Sequence, residues 1–324
     1  MDNIYHGFNK KSLFITGGTG FFGKNLLAAF QKARQSGLSF EIGVLSRDPA
    51  SFQKQYPSLS KDITFQSGDI TDFTFPNEKY DYIIHAATQA SVQLNVEQPW
   101  LMLNTIIDGT KRVLEFAKVC GAKRILHTSS GAVYGEQPAH IDNISEDCHW
   151  SPATNNPLSA YGEGKRVAEL MGTIFAKETG IAVINARCFA FVGPYLPLDT
   201  HFAIGNFILN GLRGEDIIIK GDGTPRRSYM HTDDLVDWLL TILINGKSCE
   251  AYNVGSDISY SIRELAEIVV QQFPKSQVKI LGIPDLEKPA KRYVPSIEKA
   301  KNDLGLSIKT TLECMDFKAL ASCF

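Results

Sequence analysis

The sequence predicts an α/β fold: a doubly wound parallel sheet with a smaller C-terminal lobe. Three observations carry this. Apolar strand-like runs alternate with helical periodicity through the first half of the chain, the mark of crossover units on a parallel sheet. A glycine-rich turn, Thr16-Gly17-Gly18-Thr19-Gly20-Phe21-Phe22-Gly23, joins the first strand to the first helix. Beyond about residue 191 the alternation gives way to short, Pro- and Gly-punctuated elements.

Taken in order, residues 12–16 read as a buried strand, 22–36 as a helix and 40–46 as a second strand. Further strands are expected at 63–66, 82–85, 124–128 and 182–187, with helices near 100–119 and 158–179 between them. After Gly193-Pro194-Tyr195-Leu196-Pro197 a helix is expected at 202–212, and amphipathic helices at 233–244 and 262–272. The division that follows is a Rossmann-type domain over 1–190 and a lobe over 191–324, with part of 226–256 returning to the first.

Composition limits the function classes. At 324 residues, 44% hydrophobic and 21% charged, the chain is an ordinary globular one, so a disordered or collagen-like protein is a poor reading. Lys plus Arg (33) against Asp plus Glu (35) leaves a charge of −2, so no overall field points to nucleic acid or an anionic membrane. Cys120, Cys148, Cys188, Cys249, Cys314 and Cys323 are dispersed without a C-x-x-C pair. That argues against a zinc ribbon, a redox dithiol or a secreted disulfide frame, and no metal is expected. No apolar stretch is long enough to span a membrane, and Met1-Asp2-Asn3 lacks the opening of a signal peptide, so a cytoplasmic protein is expected.

Glycine at 17, 20 and 23 lets the backbone turn tightly, brings N–H groups close to a pyrophosphate, and lets the helix pack near the sheet with its N-terminus facing the anion. This G-x-x-G-x-x-G spacing, at the start of the chain, resembles the short-chain dehydrogenase/reductase superfamily in its extended branch. The resemblance implies dinucleotide contacts at Gly17, Thr19, Gly20, Phe21, Phe22 and Gly23. Where chains selecting NAD usually place a carboxylate at the end of the second strand, this one has Ser46, followed by Arg47. A guanidinium there suits a 2′-phosphate, so NADP(H) is the favoured cofactor. NAD(H) stays open, because Asp48 follows. Gly68-Asp69-Ile70 resembles the segment set against adenine, and His85-Ala86-Ala87-Thr88 the small-residue strand end beneath the cofactor.

Tyr161 and Lys165 stand four residues apart at a helix start, hence on one face. An ammonium there stabilises phenolate, and it can also hold the nicotinamide ribose. Upstream lies Ser129-Ser130-Gly131-Ala132-Val133-Tyr134-Gly135, in which Ser130 matches the superfamily's catalytic Ser/Thr. The resemblance also shows what is missing. Sugar-nucleotide 4,6-dehydratases of this branch carry Asp-Glu directly after the Ser/Thr, and UDP-glucuronate decarboxylases carry a glutamate at the second of those positions. Here Gly131 and Ala132 stand there, and neither exchanges a proton. Glu163 and His85 could substitute as a base, but each reads more readily as a helix-surface charge and a buried strand-end histidine.

In the lobe, Arg187-Cys188-Phe189-Ala190 replaces by alanine an asparagine that commonly contacts substrate, and Asn206 is the alternative donor. Ile106 stands where the family tends to have an asparagine supporting the site, with Asn104 two residues earlier. The block Gly221-Asp222-Gly223 through Arg227 to Asp233-Asp234-Leu235 looks like the G-D-G…R…D-[LV] block of nucleotide-sugar enzymes. Arg227 matches its diphosphate-gripping arginine, and Arg292 resembles a second. The resemblance thus implies an NAD(P)(H)-dependent oxidoreductase at C4 of a nucleotide-diphosphate sugar, first a 4-keto-deoxysugar reductase. A 4-epimerase is the runner-up, then a 4,6-dehydratase or decarboxylase-like enzyme, then a cofactor-binding regulator without catalysis. No nucleic-acid or membrane partner is expected, and a homodimer stays open.

Overall fold

The computed structural model describes residues 4–88, 92–198, 202–285, 287 and 289–320, so Met1 to Asn3 and Cys323 lie outside it. Its elements begin with β1 (Ser12–Thr16), α1 (Phe21–Gln35), β2 (Glu41–Ser46), α2 (Pro49–Gln55), α3 (Pro57–Ser60), β3 (Thr64–Ser67) and β4 (Tyr82–His85). There follow α4 (Val92–Glu97), α5 (Pro99–Cys120), β5 (Arg124–Ser130), a 3-10 turn (Gly131–Tyr134), α6 (Ala160–Thr179) and β6 (Ala182–Cys188). Every strand expected in this half is present, and β5 and β6 run on to Ser130 and Cys188. The short helices α2, α3 and α4 were not anticipated. For α2 the signal was present in Asp48-Pro49, because Asp48 caps the helix by accepting the Ser51 N–H and Pro49 fixes its first residue.

The chain divides into two compact units, Met1–Gly135 with His149–Cys188 and Val236–Tyr252, and the remainder. The first unit is built on a seven-stranded sheet in the order β3-β2-β1-β4-β5-β6, closed at the β6 edge by β11 (Ala251–Val254). The pairs from β1 to β6 are parallel. The order reverses between β1 and β4, where a doubly wound sheet opens a crevice at its strand ends. One side of this sheet buries Phe14 among the rings of Phe73, Tyr80 and Phe116, at centroid distances of 6.1, 5.1 and 4.8 Å. Deleting such a ring costs about 3–5 kcal/mol.

The second unit comprises Glu136–Cys148, Phe189–Leu235 and Asn253–Phe324. It carries β7 (Phe191–Val192), α7 (Ala203–Arg213), β8 (Ile217–Ile219), β9 (Arg226–Arg227) and β10 (Met230–His231), after which α8 (Thr232–Asn245) starts. Beyond β11 come β12 (Tyr260–Ser261), α9 (Ile262–Val270), β13 (Val278–Ile280), β14 (Arg292–Tyr293) and α10 (Glu298–Leu304). Its sheets are small: β12-β9-β14, β13-β8 and β10-β7. Helix α9 opens on a capping box in which Ser261 and Glu264 satisfy each other's backbone N–H groups. The sequence reading put 136–148 with the first domain. These residues group with the second unit because Ile144 pairs with Val294 and Ser296 through backbone hydrogen bonds of 2.9 and 2.7 Å, and Gln137 accepts the Val294 N–H at 3.0 Å.

Among the described residues no helix is long and apolar enough to cross a membrane, and no cluster of His, Cys, Asp and Glu could hold a metal ion. Every described cysteine is free.

Candidate active site

Gly17 adopts a left-handed φ of 73°, and a Cβ there would stand 2.6 Å from the Ala86 carbonyl. A Cβ on Gly23 would meet the Gly18 backbone at 2.3 Å. The turn therefore admits backbone alone, pressed against the end of β4. Gly20 is the N-cap of α1 and no side chain caps it, so no capping group competes with an anion at this helix N-terminus. Thr19, Phe21 and Phe22 line the same turn, the two phenylalanine rings 5.8 Å apart. A dinucleotide pyrophosphate fits this cradle.

At the end of β2, Ser46 is buried and its Oγ accepts the Asp48 N–H at 3.2 Å. The Asp48 carboxylate is occupied by the Ser51 N–H at 3.0 Å. Arg47 is exposed and makes no ion pair among the described residues. The Asp69 carboxylate is bonded to Thr71, at 3.1 Å to its N–H and 2.8 Å to its hydroxyl. Ile70 turns its side chain into the core, so only its backbone is left to line a ligand. Ala86 and Ala87 pair with Thr16, one through the backbone and one to its hydroxyl.

Ser130, Tyr161 and Lys165 come together in the first unit. Lys165 is 2% exposed; its ammonium donates to Thr88 Oγ1 at 2.8 Å and to the Thr128 carbonyl at 2.7 Å. Burial pushes its pKa down to about 8, against the opposing pull of Cys188 and Glu169. Burial pushes Tyr161 up to about 12, and a hydrogen bond with Ser130 pulls the other way. Ser130 Oγ accepts the Ala132 N–H at 3.2 Å, which fixes the 3-10 turn carrying Gly131 and Ala132. A Cβ on Gly162 would meet the Ala132 carbonyl at 2.7 Å, so this turn lies directly on α6. Glu163 pairs with Arg166 at 3.6 Å.

Several neighbours escaped the sequence reading. Asn95 on α4 accepts the Tyr161 N–H at 3.1 Å and donates to the Leu158 carbonyl at 2.8 Å, capping α6 from another helix. Nothing in the local pattern around α6 signals this. Ile106, at the expected asparagine position, packs with Met102, Ala168 and Tyr161. A polar row, Thr16, His85, His127 and Asn185, crosses four adjacent strands in register. His85 Nδ1 and Thr16 Oγ1 are 2.8 Å apart, and His127 Nδ1 lies 3.1 Å from Asn185 Oδ1. Burial holds both imidazoles neutral, His85 at about 3 and His127 well below its usual value. Glu169 and Arg187 form a half-buried ion pair, which the shared helix face of Lys165 and Glu169 could have flagged.

The remaining candidates belong to the second unit. Arg227 donates to the Arg226 carbonyl at 2.9 Å and lies 5.8 Å from the Tyr293 ring centroid, and that ring packs at a tilt 4.7 Å from Phe189. Arg292 is held by Asp142 at 3.0 Å. Asn206 sits half-buried on α7.

Comparison with known proteins accords with this geometry. A profile of the NAD dependent epimerase/dehydratase family matches residues 13–255. UDP-glucuronic acid decarboxylase 1 of Danio rerio is 30% identical over 308 residues, 94% of this chain and 71% of that protein. UDP-glucuronic acid decarboxylase 3 of Arabidopsis thaliana is 32% identical over 308 residues, 93% of this chain and 85% of its own length. The UDP-glucose 4-epimerase of Thermotoga maritima, solved with UDP-glucose, superposes with a TM-score of 0.80 at 25% identity, covering 96% of this chain and 98% of that one. With its glycine cradle, parallel sheet and matched span, this chain belongs to the NAD dependent epimerase/dehydratase family.

Proposed function

We propose that the protein is an NADP(H)-linked oxidoreductase acting at C4 of a nucleotide-diphosphate sugar, in the direction that reduces a 4-keto deoxysugar. The observation that carries this reading is the Ser130, Tyr161 and Lys165 set standing at the end of β5 with Gly131 and Ala132 in the two positions after Ser130. Besides a hydride, a carbonyl needs one hydrogen-bond donor and one proton to be reduced, and this set offers those two. Ser130 Oγ orients the C4 oxygen. Tyr161, a neutral phenol at neutral pH, stands in the proton-donating form. Lys165 offsets the phenolate left behind.

A bound nicotinamide supplies the hydride. In this reading the turn at Gly17, Thr19, Gly20, Phe21, Phe22 and Gly23 holds the pyrophosphate, Asp69 and Ile70 flank the adenine, and Ala86, Ala87 and Thr88 lie beneath the cofactor. Ser46 and Arg47 take the 2′-phosphate, since Asp48 is engaged in its helix cap. Arg227 and Arg292 grip the sugar's diphosphate and Asn206 contacts the sugar. Decarboxylation, the activity named for the relatives at 30–32% identity, is disfavoured because Ala132 has no carboxylate to offer. A second reading, C4 epimerisation, is favoured by the likeness to the Thermotoga epimerase and needs the same three residues with a retained cofactor.

The test is incubation with 4-keto and 4-hydroxy nucleotide sugars plus NADPH or NADH. Stoichiometric loss of nicotinamide absorbance with a 4-hydroxy product supports the reductase. Interconversion of 4-hydroxy sugars without net loss installs the epimerase, and carbon dioxide release from UDP-glucuronate overturns both. Titration of the two cofactors, with Arg47→Asp expected to reverse the preference, tests the 2′-phosphate assignment.

A further inference from the structure

Beside the proposed set lies a largely covered ion pair with no part in the reaction as just derived. Glu169 on α6 and Arg187 on β6 meet as a bidentate pair, Nε to Oε1 at 3.0 Å and Nη2 to Oε2 at 2.8 Å, with side chains 12% and 16% exposed. Ser129 Oγ donates to Glu169 Oε1 at 2.5 Å. Arg187 also donates to the Tyr134 hydroxyl at 2.9 Å, its guanidinium 4.9 Å from the ring centroid. Apolar residues of similar volume are often as stable in such a place, so stability alone does not account for the pair.

Each member adjoins a piece of the site. Ser129 precedes Ser130, and Tyr134 closes the turn that follows it. Arg187 precedes Cys188, which faces Ser130 across the β5–β6 register. Glu169 lies one helical turn beyond Lys165. One carboxylate thus ties two strand ends and a turn to the helix that carries the lysine.

Among the described groups around Lys165 it is also the one carboxylate. Facing Lys165 are Tyr161 and Glu169 from its own helix, the Thr128 carbonyl and His127 from β5, His85 and Thr88 from the end of β4, and Cys188 from β6. Burial keeps both histidines neutral and pushes Tyr161 and the Cys188 thiol up to about 12. Of these groups, Glu169 is the one carboxylate, and both of its oxygens meet the Arg187 guanidinium.

We propose that Glu169 is a positioning residue of the site: its carboxylate, fixed by Arg187 and Ser129, aligns the end of β5 with α6 and is the counter-charge that keeps Lys165 an ammonium. The inference rests on the role proposed for Ser130, Tyr161 and Lys165. Its test is the titration of Lys165 in the cofactor-free protein, followed by NMR of carbon-13-labelled lysine, with Lys165→Met assigning the signal. Glu169→Gln keeps the shape and removes the charge, and is expected to lower the midpoint by about one pH unit. Glu169→Asp, which keeps the charge, should hold it within about 0.3 unit. In turnover, the alkaline limb of kcat should move down by the same amount in the Gln variant, with KM little changed.

A folded Gln variant with the wild-type midpoint overturns the proposal. Should the lone buried guanidinium prevent that variant from folding, Glu169→Gln/Arg187→Met leaves no unpaired charge. Amide exchange over residues 129–134 should then rise about tenfold, and unchanged exchange overturns the alignment role. No substrate or dinucleotide is present in the lysine titration or the amide-exchange measurement. A static midpoint therefore speaks against Glu169 alone, and a shifted midpoint without turnover on any sugar speaks against the proposed reaction alone.

Discussion

In the first unit Lys165 is 2% exposed, donates to Thr88 and to the Thr128 carbonyl, and stands beside the neutral histidines His85 and His127. In the second unit the arginines Arg226, Arg227 and Arg292 are all half-buried and differ from one another. Arg226 is consumed by Ser259 and Glu264 at 2.7–3.1 Å, and Arg292 is tied to the exposed Asp142. Arg227 has an aromatic ring and a carbonyl for company and no carboxylate among the described residues. A buried site is fixed by short-range geometry along two strands and a helix. Whether a half-exposed arginine is available depends on partners far away in sequence.

The sharpest way to break this comparison is to remove the proton. Tyr161→Phe should lower kcat by about 10²–10⁴, the range for one general acid–base group, while melting temperature and dinucleotide affinity stay near wild type. Near-normal turnover would move the chemistry out of the first unit. Next in size, Arg227→Ala should weaken nucleoside-diphosphate binding by about 1.5–3 kcal/mol, the worth of a charged hydrogen bond, and leave dinucleotide affinity alone. Calorimetry separates the two ligands, and an unchanged affinity would return Arg227 to a structural role.

The same contrast explains what could be read from the sequence. The glycine turn, the strands from β1 to β6 and the Tyr161–Lys165 spacing were legible because each is set by residues within one or two turns of backbone. Asn95 was not, since its claim on α6 spans 66 residues, nor was the Gln137 bond to Val294, which spans 157. Arg292 looked like a ligand because its own neighbourhood fitted, while its ion-pair partner Asp142 lies far upstream. The polar row at Thr16, His85, His127 and Asn185 was hidden for another reason: strand register becomes visible only once the strand order is known.

That row makes the first unit acid-sensitive. His85 is held neutral down to about pH 3, whereas an unfolded histidine takes up a proton near 6.5. Between those values the unfolded chain binds more protons than the folded one, so stability rises with pH in this window and is lost as pH falls below 6.5. The slope is about 1.4 kcal/mol per pH unit for one such histidine. Urea unfolding at a series of pH values measures it. A His85→Gln variant should show a shallower dependence, and an identical slope would mean that His85 is not the group responsible.

The smallest effect distinguishes the two arginines proposed for the diphosphate. Arg292 must leave Asp142 to reach a ligand, and exposed pairs of this kind are worth at most about 1 kcal/mol. Arg292→Ala should therefore weaken nucleoside-diphosphate binding less than Arg227→Ala does, because part of what the ligand gains from Arg292 is lost again in breaking the pair. The informative variant is Asp142→Ala, which removes the competitor and leaves the guanidinium in place. If Arg292 reaches the diphosphate, that variant binds it more tightly, by up to about 1 kcal/mol, and the gain fades with added salt as the screening of an exposed charge requires. If Asp142→Ala leaves affinity unchanged and Arg292→Ala does too, Arg292 serves only to hold the segment of Asp142, and Arg227 is left as the anion-binding arginine of the second unit.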